Sequence, residues 1–252
     1  MVNRKMVDIH SHILPFVDDG SNDLEISFEM LKSATAAGTD EIVLTPHCNL
    51  YDREKNYLYE MQLVFDAFKQ KAEERNIGIK IYLGAEVFAD ESITQLLKKG
   101  LLPTINGSRF LMIEFDFYST PAYICDTVRS IGRMGYVPIV AHPERYSCIK
   151  KINGVSMEIM NSGGLLQVNK GSLAGEFGES ARQTALELIS HNTAQFVASD
   201  AHSLSSRTVE MDLTYEIIED YFGNKTAQSL LNDNPACLIR NGRLTIARPV
   251  MF

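Results

Sequence analysis

Cysteine is scarce in this 252-residue chain, and its four copies, Cys48, Cys125, Cys148 and Cys237, show no C-x-x-C spacing. That argues against a thiolate zinc site and against a disulfide frame, and fits reduced thiols in a reducing compartment. Long apolar runs are also missing. The opening Met1-Val2-Asn3-Arg4-Lys5 leads straight into a short apolar stretch, with neither a signal-peptide h-region nor a membrane span, so a cytoplasmic protein without membrane insertion is expected. Low-complexity tracts and Pro/Gly-rich linkers do not occur, and residues 1–252 read as a single domain. There is no basic stripe with interleaved aromatics, and a net charge of -8 disfavours nucleic acid as a partner.

What is present is a recurring pattern. Asp8-Ile9-His10-Ser11-His12 closes the first apolar run, and two histidines two apart on a strand point the same way and can grip one ion. The same arrangement returns along the chain: residues 41–46 lead to His47, 79–85 to Glu86, 110–113 to Glu114, 137–141 to His142, and 194–199 to Asp200 with His202 two further on. A seventh run, 165–168, ends at Asn169. Successive ends are spaced by roughly the 30 residues of a βα unit, so one rim of strand ends would collect these side chains. Of the 6 histidines, only His191 falls elsewhere, near the end of a helical stretch where a cation suits the helix terminus, and it reads as structural.

Amphipathic segments fill the intervals, at about residues 54–76, 91–99, 121–134, 154–161, 180–192 and 208–222. Another runs from an Asn22/Glu25 capping pair to about Ala37, with Gly38 as its stop. Seven strands alternating with helices imply an α/β barrel of parallel strands, one unit short of eight, with its site at the C-terminal strand ends. Residues 226–252 read as a short helix and an extended tail closing the barrel bottom or an edge.

His10, His12, Asp19, His47, Glu86, Glu114, His142, Asp200 and His202 are too many ligands for one ion. Imidazoles and carboxylates without thiolate suit manganese, iron or zinc, and two or three ions sharing carboxylates point to phosphate-ester hydrolysis. Arg145, just past His142, and Arg207, five residues beyond His202, could each offer a phosphate two hydrogen bonds.

These blocks carry a resemblance. Asp-Ile-His-Ser-His-Ile-Leu-Pro with Val17-Asp18-Asp19-Gly20, Thr-Pro-His at 45–47, Gly-Ala-Glu at 84–86, His-Pro-Glu-Arg-Tyr at 142–146 and Ser-Asp-Ala-His at 199–202 resemble the PHP (polymerase and histidinol phosphatase) superfamily, and within it the bacterial CpsB/YwqE-type protein-tyrosine phosphatases. The resemblance runs to about Arg243. It implies a distorted (β/α)7 TIM-like barrel and a manganese-dependent, trinuclear hydrolase acting on the tyrosine-phosphorylated tail of a bacterial capsule or exopolysaccharide kinase. It further implies that His10, His12, Glu86 and Asp200 hold one ion, and that Glu86 is shared with a second bound by Glu114 and His142. Asp19, His47 and His202 would hold the third, and Arg145 and Arg207 would contact phosphate. The chain departs from its relatives at Cys48, where they often carry an aromatic or imidazole residue.

Three functions are compatible with these residues. In the first, hydroxide held on the ions attacks protein phosphotyrosine in line, the ions and arginines stabilise the developing charge, and a group near Asp200 or His202 assists the leaving phenolate. A small-molecule phosphomonoesterase such as a histidinol phosphatase, and a non-catalytic metal-bound regulatory protein, are the alternatives. A cysteine mechanism at His47-Cys48 with Arg53 is disfavoured: the spacing is one short of His-Cys-x5-Arg, and residues 49–52 lack the glycines of a phosphate cradle. Tyr51, Tyr57 and Tyr59 read as helix packing rather than as a stacking surface for substrate.

Overall fold

The computed structural model describes residues 5–48, 57–151 and 154–250. Its strands are β1 (Met6–Asp8), β2 (Thr39–Leu44), β3 (His47–Cys48), β4 (Lys80–Leu83), β5 (Glu86–Phe88), β6 (Phe110–Glu114), β7 (Val137–Ala141), β8 (Leu165–Asn169) and β9 (Phe196–Ala198). Every pairing between them is parallel, in the orders β1-β2-β4 and β3-β5-β6-β7-β8-β9. Nine strands make seven staves, because β2 runs on into β3 past Pro46 and β4 into β5 past Gly84-Ala85. Proline has no N–H for the ladder. The two staves stay joined across the gap by Gly84 N–H to Leu44 O (2.9 Å) and Glu86 N–H to Pro46 O (3.2 Å). A parallel bridge between Ser11 and Ala201 joins the outer staves, with His12 N–H to Ala201 O and Asp200 N–H to His10 O at 2.8 Å each. The result is a closed, distorted (β/α)7 barrel with the seven expected staves.

Strand alternation sorts the side chains. Phe110 and Met112, Ile139 and Ala141, and Phe196 and Ala198 fill the barrel interior, while Leu111, Ile113, Val140 and Val197 pack outward under the helices. Each large apolar side chain so buried contributes about 1.5–3 kcal/mol. Leu238 and Ile239, from the helix Asn234–Ile239, join the interior cluster and plug its lower end. The C-terminal stretch thus closes the bottom, and it is more helical than expected, running through Asn224–Gln228 and Ser229–Asp233 first.

The covering helices fall where the periodicity places them: Leu24–Ala36, Tyr57–Glu74, Ile93–Lys98, Pro121–Gly132, Val155–Asn161, Glu179–Ser190 and Asp212–Phe222. Their ends differ. The first helix is capped by Asp23, not by an Asn22/Glu25 pair. Asp23 has the extended φ of -150° that a cap needs, and its carboxylate accepts from the N–H groups of Glu25 and Ile26. Residues 208–211 precede the last covering helix, which begins at Asp212. Residues 54–56 of the second predicted helix lie outside the described residues.

Candidate metal centre

The interior alternation does not stop at the apolar layer. On β6 it continues from Phe110 and Met112 to Glu114, on β8 from Leu165 to Gln167 and Asn169, and beyond β9 from Phe196 and Ala198 to Asp200. Polar groups therefore occupy the upper ends of the same inward rows. His142 follows the inward-facing Ala141, so an extended backbone would turn it outward. A left-handed φ of +34° brings it back to the site. Asp200 (φ +52°) and Arg207 (φ +47°) are also left-handed, and backbone strain of this kind gathers at functional sites. Gly20 lets the Asp18-Asp19 loop lie on the first stave. A Cβ there would sit 2.1 Å from His12 O, and Ser21 N–H reaches that same carbonyl at 3.0 Å.

Three overlapping groups of ligand atoms converge: His10, His12, Glu86 and Asp200; His12, Asp19, His47 and His202; and His47, Glu86 and Glu114. Glu86 lies at the centre. Its Oε2 is 3.2 Å from His10 Nε2, 3.4 Å from His12 Nε2 and 3.1 Å from His47 Nδ1. Its Oε1 is 2.8 Å from His142 Nε2, which is also 3.6 Å from Glu114. His47 and Glu86 are paired residues on adjacent strands, so register alone sets them side by side. Asp19 stands at the mouth with its side chain 67% exposed, 3.4 Å from His47 Nε2 and 3.5 Å from His202 Nε2. All nine predicted ligands and both arginines thus meet at one end of the barrel, with His12 reaching two of the groups.

The outer hydrogen bonds decide which imidazole atoms face inward. His10 Nδ1 donates to Gln167 Oε1 (2.8 Å), His12 Nδ1 to Asp18 Oδ2 (2.7 Å) and His202 Nδ1 to Asp200 O (2.9 Å). Each neutral ring therefore turns an Nε2 lone pair to the centre, where His10 Nε2 and His12 Nε2 lie 3.2 Å apart and both face carboxylate oxygens. In this neutral form the acceptors that meet there need a cation between them. The buried Asp200 Oδ1 and His202 Nε2, which have no hydrogen-bond partner among the described residues, point to the same requirement. An oxygen and nitrogen donor set of this kind fits hard or borderline divalent ions.

Without a cation the carboxylates favour protonated imidazoles, and metal binding would displace those protons. Burial works against charge throughout, yet Glu86 and Asp200 raise His10 above its ordinary value, and carboxylate hydrogen bonds raise His12 and His47. Despite burial, His10 and its neighbours hold Glu86 and Asp200 well below the carboxylate range. His202 behaves oppositely: burial, with the charges of His12 and Arg207, pushes it down to about 4, so it stands as a ready neutral ligand. Asp200 divides its two oxygens. Oδ1 faces the imidazoles, while Oδ2 receives Asn169 Nδ2 at 2.5 Å and Arg207 Nη2 at 2.6 Å, with Arg145 Nη1 at 3.9 Å.

The match to known proteins covers nearly the whole chain. Residues 6–240 fit the model of the family described as "Capsular polysaccharide synthesis, CpsB/CapC". This chain belongs to the CpsB/CapC family. CapC of Staphylococcus aureus is 36% identical over 228 residues, covering 87% of this chain and 89% of that protein. The tyrosine-protein phosphatase YwqE of Bacillus subtilis is 32% identical over 238 residues, covering 94% and 92%. A solved structure from work on YwqE and on CpsB of Streptococcus pneumoniae, described as metal-dependent tyrosine phosphatases, superposes with a TM-score of 0.88 at 30% identity, covering 98% of this chain and 99% of that one.

Within this CpsB/CapC barrel some residues had no role in the sequence reading. Gln167 and Asn169 form a relay: Gln167 accepts from His10 and donates to Asn169 Oδ1 (2.9 Å), and Asn169 donates to Asp200. Two amides at inward positions of an otherwise apolar strand were the available signal. Asp18 orients His12 and also accepts His47 N–H at 3.0 Å. Asp8 instead ties the barrel seam, accepting Ser199 N–H at 3.0 Å and His10 N–H at 3.3 Å. Cys48 is fully buried in the outer core on the face opposite His47, which leaves no room for thiolate catalysis. Arg53 and Tyr51 lie outside the described residues. Tyr57 donates to His47 O at 3.2 Å, whereas Tyr59 is exposed. His191 ends the helix Glu179–Ser190 and meets the Val250 carbonyl, a structural role.

Proposed function

We infer that this chain is a metal-dependent tyrosine-protein phosphatase, a phosphomonoester hydrolase of capsule or exopolysaccharide synthesis, whose substrate is the phosphotyrosine tail of a bacterial kinase. The observation that carries this is the convergence of imidazoles and carboxylates on Glu86, where Nε2 of His10, His12 and His142 and Nδ1 of His47 all lie within 3.4 Å of its two oxygens. His10, His12, Glu86 and Asp200 would hold one ion, Glu86, Glu114 and His142 a second, and Asp19, His47 and His202 a third; manganese suits this donor set, with iron and zinc as alternatives. When bound, such ions supply Lewis acidity toward phosphoryl oxygen and lower the pKa of water.

The protein's own groups do the rest. Arg145 and Arg207 already lie against the outer oxygen of Asp200, and their N–H edges match the non-bridging oxygens of a phosphate dianion. A proton for the leaving phenolate would come from a group beside Asp200 or His202, since Asp200 is held ionised and His202 turns a lone pair to the centre. Phenolate leaves readily, so this assistance is modest. Asp19 stands exposed at the mouth, where a peptide tail would approach the site.

The test is turnover of a phosphotyrosine peptide before and after chelation. Activity should vanish with chelator, return with manganese, and persist in Cys48→Ala. Chelator-resistant turnover would sink the metal reading, and turnover of small phosphate esters with none of peptides would sink the substrate.

A further inference from the structure

Arg145 is held in an unusual way for a phosphate-binding arginine. Its Cζ lies 4.6 Å from the centroid of the Phe117 ring and 4.5 Å from that of Phe177, so the guanidinium packs against two aromatic rings. The two rings come from different loops, Phe117 beyond β6 and Phe177 between the helices Lys170–Ala174 and Glu179–Ser190.

Both rings are themselves anchored. Phe117 stands 6.1 Å from the His142 ring and 6.0 Å from the buried Tyr146, and its carbonyl accepts Ser147 N–H at 2.8 Å. Phe177 leans on bare backbone: a Cβ at Gly171 would lie 2.9 Å from its Cε2, and Glu176 N–H bonds Gly171 O at 2.8 Å to fix the turn. Contact with both rings restricts how the guanidinium can tilt. Its free edge is the one turned to Asp200 Oδ2 at 3.9 Å.

We propose that Phe117 and Phe177 are positioning residues that clamp Arg145 against their rings and present its N–H edge, already oriented, to the phosphoryl oxygens of the substrate. A planar, delocalised cation suits such packing, and the ammonium of lysine does not. A fork fixed before the substrate arrives loses little rotamer freedom on binding, so the gain appears in phosphate recognition. The inference rests on the reading of Arg145 as a phosphate contact.

Phe117→Leu and Phe177→Leu, made in the full chain, keep the apolar contacts and remove the ring faces. Each should lower kcat/KM on a phosphotyrosine peptide roughly tenfold. Each should weaken competitive inhibition by inorganic phosphate by a similar factor, with metal content and melting temperature unchanged. Tyrosine at either position should restore both readouts, and in an Arg145→Ala background the leucine changes should cost nothing further. Wild-type kinetics and phosphate inhibition in the leucine variants, or the same tenfold losses without Arg145, would overturn the clamp. Wild-type kinetics in Arg145→Ala alone would instead overturn the phosphate role on which it rests.

Discussion

At the lower end of the barrel, Phe110, Leu165 and Phe196 face inward and meet Leu238 and Ile239 in an apolar plug. At the upper end, four residues further along the same three rows, stand Glu114, Asn169 and Asp200. Strand, register and direction are shared, and only the side-chain chemistry changes. One end spends the inward positions on burial, which favours folding by hydrophobic transfer. The other buries carboxylates and imidazoles, which disfavours folding unless a cation completes them. A closed barrel tolerates such an end because the apolar end supplies the stability.

Substitutions at the two ends should separate cleanly. The largest effect is expected from Glu86→Ala, which removes the carboxylate shared between groups. Turnover should disappear and elemental analysis should find more than one ion lost per chain. Full metal occupancy would remove Glu86 from the centre. Next come Arg145→Ala and Arg207→Ala, which take a charge-assisted contact from a partly desolvated site. Each should lose about 2–4 kcal/mol of transition-state stabilisation, or roughly 30- to 1,000-fold in kcat/KM, with metal content intact. Lysine should rescue only in part.

The lower end should answer differently. Leu238 is fully buried in the plug, so Leu238→Ala should cost about 2–4 kcal/mol of stability in denaturant unfolding. Metal content and kcat/KM should stay within about twofold of wild type, provided measurements are made well below the melting temperature. Loss of metal at constant stability would show that the two ends are coupled.

The smallest effect concerns Glu41 at the start of β2. Burial would raise its carboxyl, but hydrogen bonds from Arg240 (2.6 Å) and Tyr82 (3.0 Å) bring it below its ordinary 4.5. A depressed carboxyl stabilises the fold above its unfolded value and loses that contribution as pH falls through the folded value. Arg240 is half exposed, so Arg240→Ala should cost only about 0.5 kcal/mol at pH 7. The difference between variant and wild type should shrink as pH drops below 4.5. A cost that stays constant through acid would assign it to lost packing instead.

Much of the fold was legible because the alternation of apolar runs and amphipathic segments is a local signal. Seven runs became seven staves, and the run ends lie together at one end of the barrel. Helix ends were less legible. Asp23 rather than Asn22 caps the first helix because the cap depends on one residue's φ and ψ, which neighbouring polar residues compete to supply. The Gln167–Asn169 relay was hidden for another reason. Amides are common, and only barrel closure brings Gln167 to His10, 157 residues away in the chain.

Residue type and spacing along the chain thus determined the stave count, the end of the barrel that carries the site, and the donor set of imidazoles and carboxylates, since all three follow from periodicity and side-chain chemistry. Tertiary structure alone decided which Nε2 atoms face inward, that Glu86 rather than another carboxylate stands at the centre, and that Arg145 packs against Phe117 and Phe177. Those outcomes depend on register, on the left-handed turns at His142 and Asp200, and on contacts between loops far apart in sequence. No local pattern of residues encodes such distances, because they exist only once the seven staves have closed.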